Sequence, residues 1–134
     1  VGSQEITVPV NADIDIVTAR QKGRELARDL GFTSTDLALI ATAISELARN
    51  IILYANSGQI VLSVVENGTR RGLKVIARDD GPGIPDIERA LEEGFSTSRS
   101  LGLGLSGVRR LMDEFDIISE IGNGTTVTVK KWRL

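Results

Sequence analysis

The chain has 134 residues, 41% of them apolar, with sixteen basic and eighteen acidic side chains and a net charge of −2, which suits one compact domain over residues 1–134. The charges are interspersed and no basic block tracks a phosphate backbone or an anionic bilayer, so neither nucleic acid nor membrane is expected as a main partner. With no cysteine and no histidine, the chain's own residues cannot supply a thiolate or imidazole metal site, a serine triad or a phosphohistidine relay, and chemistry falls to carboxylate, amide and hydroxyl groups.

The start, VGSQEITV, lacks the basic and apolar segments of a leader, and the apolar runs look too short to span a bilayer, so a cytoplasmic location is expected. Ile6, Val8 and Val10 alternate through QEITVPV and predict a short strand, closed by Pro9 and Asn11 near residue 11. From Asp13, the residues Ile16, Ala19, Gly23, Leu26, Ala27 and Leu30 recur at helical spacing, and Gly31 stands where a left-handed cap belongs. A second helix follows in TSTDLALIATAISELARNIILYA, with hydroxyl residues to cap it and Leu37, Ile40, Ala41, Ile44, Ala48 and Ile51 on one face. QIVLSVVE and GLKVIARD, joined at Asn67-Gly68, read as a hairpin. A Gly/Pro loop, a short acidic helix over residues 87–93, a glycine-rich stretch and a helix over 105–115 come next. DIISEI, a GNG turn and TTVTVKKW form a second hairpin. Five strands arriving as hairpins between three longer helices predict an α+β fold, a two-layer α/β sandwich. Its sheet is mixed but mainly antiparallel, with the helices on one face and room for a pocket between the layers.

Four places carry chemistry. Glu46 is the one charged residue between Asp36 and Arg49, and Asn50 follows one turn later on the same face, so the two side chains can reach a common point. A partly exposed Glu beside a helix-end Asn would look the same. In ARDDGPGIPD, Asp79 ends a strand and Gly81 and Gly83 let backbone come close to a flat ligand, although an ordinary tight turn shares the pattern. Gly102, Gly104 and Gly107 precede a helix whose first N–H groups and positive dipole end suit phosphate; a surface loop or close helix packing would use the same glycines. Thr125 opens the last strand, where threonine is often a plain β-former.

In this order, ExxxN, DxGxG, a glycine-rich lid and GxGT resemble the GHKL ATPase family, whose ATP-binding domain is the Bergerat fold, from about residue 35 to the end. The segments AISELARNI, DDGPGIPDIE, EGFSTS, LGLGLSGVRRLMDEF and the final KW look most like its switch serine-protein kinases of bacterial stress signalling. The related anti-sigma-factor kinases usually carry a histidine shortly after the asparagine, where this chain reads NIILYAN. The resemblance implies that Asp79 takes the adenine amino group, with Gly83 letting the ring approach, Gly81 a further cofactor-binding position and Thr125 supporting the same edge directly or through water. It implies that Asn50 places its oxygen on Mg²⁺ and that Glu46 orients or deprotonates the attacking hydroxyl. A lid over residues 96–107 would close on the phosphates of ATP through Ser96, Thr97, Gly102, Leu103, Gly104 and Leu105, with Arg99 near the terminal phosphate. The implied activity is ATP-dependent serine/threonine kinase action on STAS-domain proteins of a stressosome, after which the free kinase activates a PP2C-type phosphatase. An anti-sigma factor that sequesters a sigma factor, a conformational ATPase and a detached histidine-kinase domain are the alternatives.

Overall fold

The computed structural model describes residues 5–84, 91 and 104–133. In chain order the elements are β1 (Glu5–Val10), α1 (Asp13–Leu30), α2 (Ser34–Ala55), β2 (Gly58–Asn67), β3 (Arg70–Asp79), α3 (Gly104–Leu111), β4 (Glu114–Glu120) and β5 (Gly124–Trp132). The strands form one sheet in the order β1-β2-β3-β5-β4. All four pairings are antiparallel, so the α+β expectation holds and the described sheet is antiparallel throughout rather than mixed.

Period-two alternation puts Val8, Val10, Ile60, Leu62, Val75 and Val129 on one face of the sheet, where they join the apolar stripes of both long helices in a single core. The opposite face carries Thr7, Ser63, Lys74, Arg78 and Thr128. This is the two-layer sandwich with its helices on one face.

Helix boundaries follow local chemistry. At the start of α1 the Asp15 carboxylate accepts from the Asn11 and Ala12 N–H groups at 2.8 and 3.1 Å, and Gly31 ends the helix at φ +91°. Thr33 caps α2 by accepting the Asp36 N–H at 3.2 Å. By length and composition α2 could cross a membrane, which amends the sequence reading that no apolar run is long enough. In the fold it is a core helix, with Ile40, Ala43, Ile44 and Ala48 fully buried.

One helix is shorter than its periodicity suggests. The chain leaves α3 at Leu111 instead of running to Phe115, and Phe115 lies in β4, packed on the core. Leu105, Val108 and Met112 keep helical spacing, whereas Phe115 and Ile117 already follow strand alternation, so the two periods meet within three residues. The break is fixed by the Asp113 N–H donating to the Lys130 carbonyl at 2.9 Å, and by the Asp113 carboxylate accepting the Trp132 N–H at 2.7 Å. The short helix expected over residues 87–93 lies, apart from Leu91, outside the described residues.

α1 and α2 meet at Gly23, where a Cβ would stand 2.1 Å from the Ile44 Cδ1 methyl. Gly23→Val is expected to destabilise the fold by about 1–3 kcal/mol through overpacking. Ile44→Val, which removes that methyl, should recover part of the loss in the same chain. Denaturant unfolding of the single and double variants checks both.

Candidate functional site

The site begins as one row of residues across the end of the sheet. Val10 pairs with Gly58, Gly58 with Asp79, Asp79 with Thr125, and Thr125 with Ser119. Asp79, Thr125 and Ser119 stand two residues from the inward-facing Ala77, Val127 and Ile117, so strand alternation turns this row toward the helices.

Two glycines let α2 rest on that row. A Cβ at Gly58 would lie 2.8 Å from the Ile51 side chain and 2.4 Å from the Arg78 carbonyl oxygen, and one at Gly81 would lie 2.6 Å from the Ala55 Cβ. The last turn of α2 therefore sits directly on the ends of β2 and β3 before Asn56, at φ +68°, turns the chain into β2. Asn50, partly exposed, stands in the turn before this seat, and Glu46 one turn further back along the same stripe. Asp79 and the pair Glu46 and Asn50 are thus brought to the same end of the helix–sheet interface.

Each carboxylate has one oxygen engaged. Asp79 Oδ1 accepts the Gly81 N–H at 2.9 Å. Glu46 is fully buried; its Oε1 accepts from Arg49 Nη1 at 2.9 Å, and its Oε2 has no partner among the described residues. Leaving such an atom unpaired is costly, which marks it as a place where a ligand group belongs.

The Asp79 loop is docked on the β4–β5 turn. The Ile84 N–H donates to Ser119 Oγ at 2.7 Å, and the Gly122 N–H donates to the Pro82 carbonyl at 2.9 Å. Ser119 Oγ lies 2.8 Å from Thr125 Oγ1, within hydrogen-bond reach. At Gly83, φ +82°, the missing side chain makes room for protein, because a Cβ there would meet the Glu120 carbonyl oxygen at 2.3 Å.

Gly104 starts α3 in a left-handed conformation and is buried. The Leu105 side chain belongs to the core, which leaves only its backbone for a ligand. Ser96, Thr97, Arg99, Gly102 and Leu103 lie outside the described residues. Sequence reasoning missed Arg49, whose i,i+3 spacing from Glu46 is a usable signal for a charge pair, and Ser119, which the hairpin register sets opposite Thr125.

Residues 35–134 match the model of the family described as histidine kinase-, DNA gyrase B-, and HSP90-like ATPase. The chain belongs to this ATPase family. It is 56% identical over 125 residues, 93% of this chain and 94% of the relative, to the serine/threonine-protein kinase RsbT of Bacillus subtilis. The anti-sigma F factor of Geobacillus stearothermophilus is 36% identical over 107 residues, covering 74% of this chain and 71% of the relative. Among solved structures, the RsbU and RsbW domains of Rv1364c from Mycobacterium tuberculosis superpose with a TM-score of 0.64 at 24% identity, over all of this chain and 34% of that longer one. The mycobacterial sensor histidine kinase MprB gives 0.54 at 15% identity, over 98% of this chain and 97% of the other, and these two likenesses speak for the fold. This chain is an ATP-using serine/threonine-protein kinase of the family.

Ser119→Ala removes the acceptor of the Ile84 N–H and the neighbour of Thr125. It is expected to lower stability by about 1 kcal/mol and to weaken nucleotide binding, as read by denaturant unfolding and calorimetry.

Proposed function

We propose that residues 1–134 act as one cytoplasmic kinase domain that passes the terminal phosphoryl group of ATP to a serine or threonine on a STAS-domain partner of a bacterial stressosome. The observation that carries this reading is the fully buried Glu46 carboxylate, one oxygen of which has no partner among the described residues, one helical turn from Asn50 and at the same end of the fold as Asp79. The name of the 56% identical kinase supports the activity. STAS-domain proteins and a PP2C-type phosphatase, activated when the kinase is free, are the partners proposed with it.

Asp79 recognises adenine in this reading. With Oδ1 tied to the Gly81 N–H, Oδ2 is left to accept from the exocyclic amine, and a guanine carbonyl at that place would set two acceptors face to face. Thr125, directly across the sheet, supports the same edge. The N-terminal backbone of α3, together with residues 96–103, is assigned to the phosphates.

The donor set fits a divalent cation held mainly by substrate. Among the described residues no three acidic side chains converge on a metal position, so Asn50 would provide a single amide oxygen, with phosphates and water completing the shell. Mg²⁺ bound there would neutralise charge on the phosphates. Glu46 Oε2 takes the proton of the acceptor hydroxyl as its oxygen bonds to the terminal phosphorus, and the bond from phosphorus to the bridging oxygen breaks to leave ADP. Positioning and charge neutralisation account for most of the rate in such transfers, which suits a domain without a nucleophile of its own.

The 36% identical anti-sigma F factor favours a second reading, sequestration of a sigma factor in an ATP-dependent complex. Incubation with labelled ATP and STAS-domain partners tests the first reading: label on a partner serine or threonine is expected. A stable sigma-factor complex with no labelled STAS partner would favour the second.

Asp79→Asn should weaken ATP binding by about ten- to a hundred-fold, the equivalent of one unpaired polar group. Its amide oxygen keeps the Gly81 N–H and turns the amino group against the adenine amine. Calorimetry reads the change, and unaltered affinity would refute the adenine assignment. Asn50→Ala should remove most of the Mg²⁺ dependence of nucleotide binding, measured by titration with and without the cation.

A further inference from the structure

We propose that Arg49 is a positioning residue for phosphoryl transfer: it ties one oxygen of Glu46 and thereby fixes the other as the proton acceptor. This rests on the role of Glu46 proposed above. Three observations carry it. Arg49 Nη1 donates to Glu46 Oε1 at 2.9 Å, and the two residues are three apart on one helix, so the contact is made by rigid backbone and two side chains. The carboxylate has no exposure, and its second oxygen has no partner among the described residues. The arginine side chain is 23% exposed, so its charge reaches the solvent-facing side while its bond reaches inward.

A carboxylate attached by a flexible stem presents either oxygen, in many orientations, to an incoming hydroxyl. A charge-assisted hydrogen bond to one oxygen removes that choice. It also gives the buried negative charge its nearest counter-charge, which a fully desolvated group needs. What remains is one unsatisfied oxygen, one helical turn from Asn50, held ready for a donor. The acceptor hydroxyl is a donor of the right kind. Arg49 itself touches neither the transferred group nor the acceptor in this account, and it works entirely through Glu46.

A bland alternative is that Arg49 only stabilises the helix as an ion-pair partner. The two roles separate in a double-mutant cycle with Glu46→Gln. Arg49→Met keeps most of the side-chain length and removes the charge; Arg49→Lys keeps the charge and gives up the planar fork. Transfer is followed with labelled ATP and a purified STAS-domain protein that the unaltered chain phosphorylates, with ATP affinity and melting temperature measured on every variant. Arg49→Met is expected to lower the single-turnover rate at least about ten-fold with ATP affinity changed less than about three-fold. Arg49→Lys should recover part of that rate, and Arg49→Met should cause no further loss once Glu46 is Gln. Full transfer by Arg49→Met alongside an inactive Glu46→Gln would overturn the positioning role while leaving the Glu46 reading intact. Equal fractional losses in both backgrounds, or a loss that follows only the melting temperature, would also overturn it. Full transfer by Glu46→Gln would instead sink the earlier assignment of Glu46.

Discussion

The last turn of α2 sits on two positions that have no side chain, and the rest of the site depends on that contact. Gly58 and Gly81 leave room for Ile51 and Ala55 where any Cβ would collide. Because a helix is rigid, seating its end also sets the height of everything one and two turns back. Asn50 immediately precedes Ile51 and Glu46 stands one turn further back on the same helix, while Asp79 is placed by the strand register at the end of β3. A side chain at Gly58 or Gly81 would lift one layer off the other and separate groups that the chemistry needs together.

A common device recurs at both carboxylates of the candidate site. Asp79 gives one oxygen to the Gly81 N–H, and Glu46 gives one to Arg49. A carboxylate with both oxygens engaged is a structural group, and one with neither engaged is free to rotate. Tying a single oxygen orients the group and leaves the other available for a ligand donor. The same economy appears at Ser119, whose hydroxyl accepts from the Ile84 N–H and bonds with Thr125. One short side chain thereby joins the loop after β3 to the start of β5.

Much of this was legible in the sequence, because periodicity reports burial. Alternation marked the first strand and turn signals the two hairpins, and the stripe Ile40, Ile44, Ala48 and Ile51 marked the buried face of α2. The spacing of Glu46 and Asn50, and the position of Asp79 at a strand end before glycine, marked the groups of the candidate site. Less legible was what each glycine is for. Gly83 meets the Glu120 carbonyl and Gly124 the Asp79 carbonyl, contacts between segments about forty residues apart that no local pattern encodes. The end of α3 is less legible because Phe115 fits both the helical spacing from Met112 and the strand alternation with Ile117. Arg49 pairs with Glu46 three residues earlier on the same helix, a spacing that the rule for helical charge pairs does encode.

A structure of the chain bound to Mg²⁺ and a non-hydrolysable ATP analogue tests the central claim most directly, since it asks whether the seated helix and the strand row make one pocket. The purine amine is expected on Asp79 Oδ2 with Thr125 beside it, the cation on the Asn50 side-chain oxygen, and Glu46 Oε2 facing the terminal phosphate. A nucleotide bound away from the row formed by Gly58, Asp79 and Thr125, or a cation reached without Asn50, would contradict it.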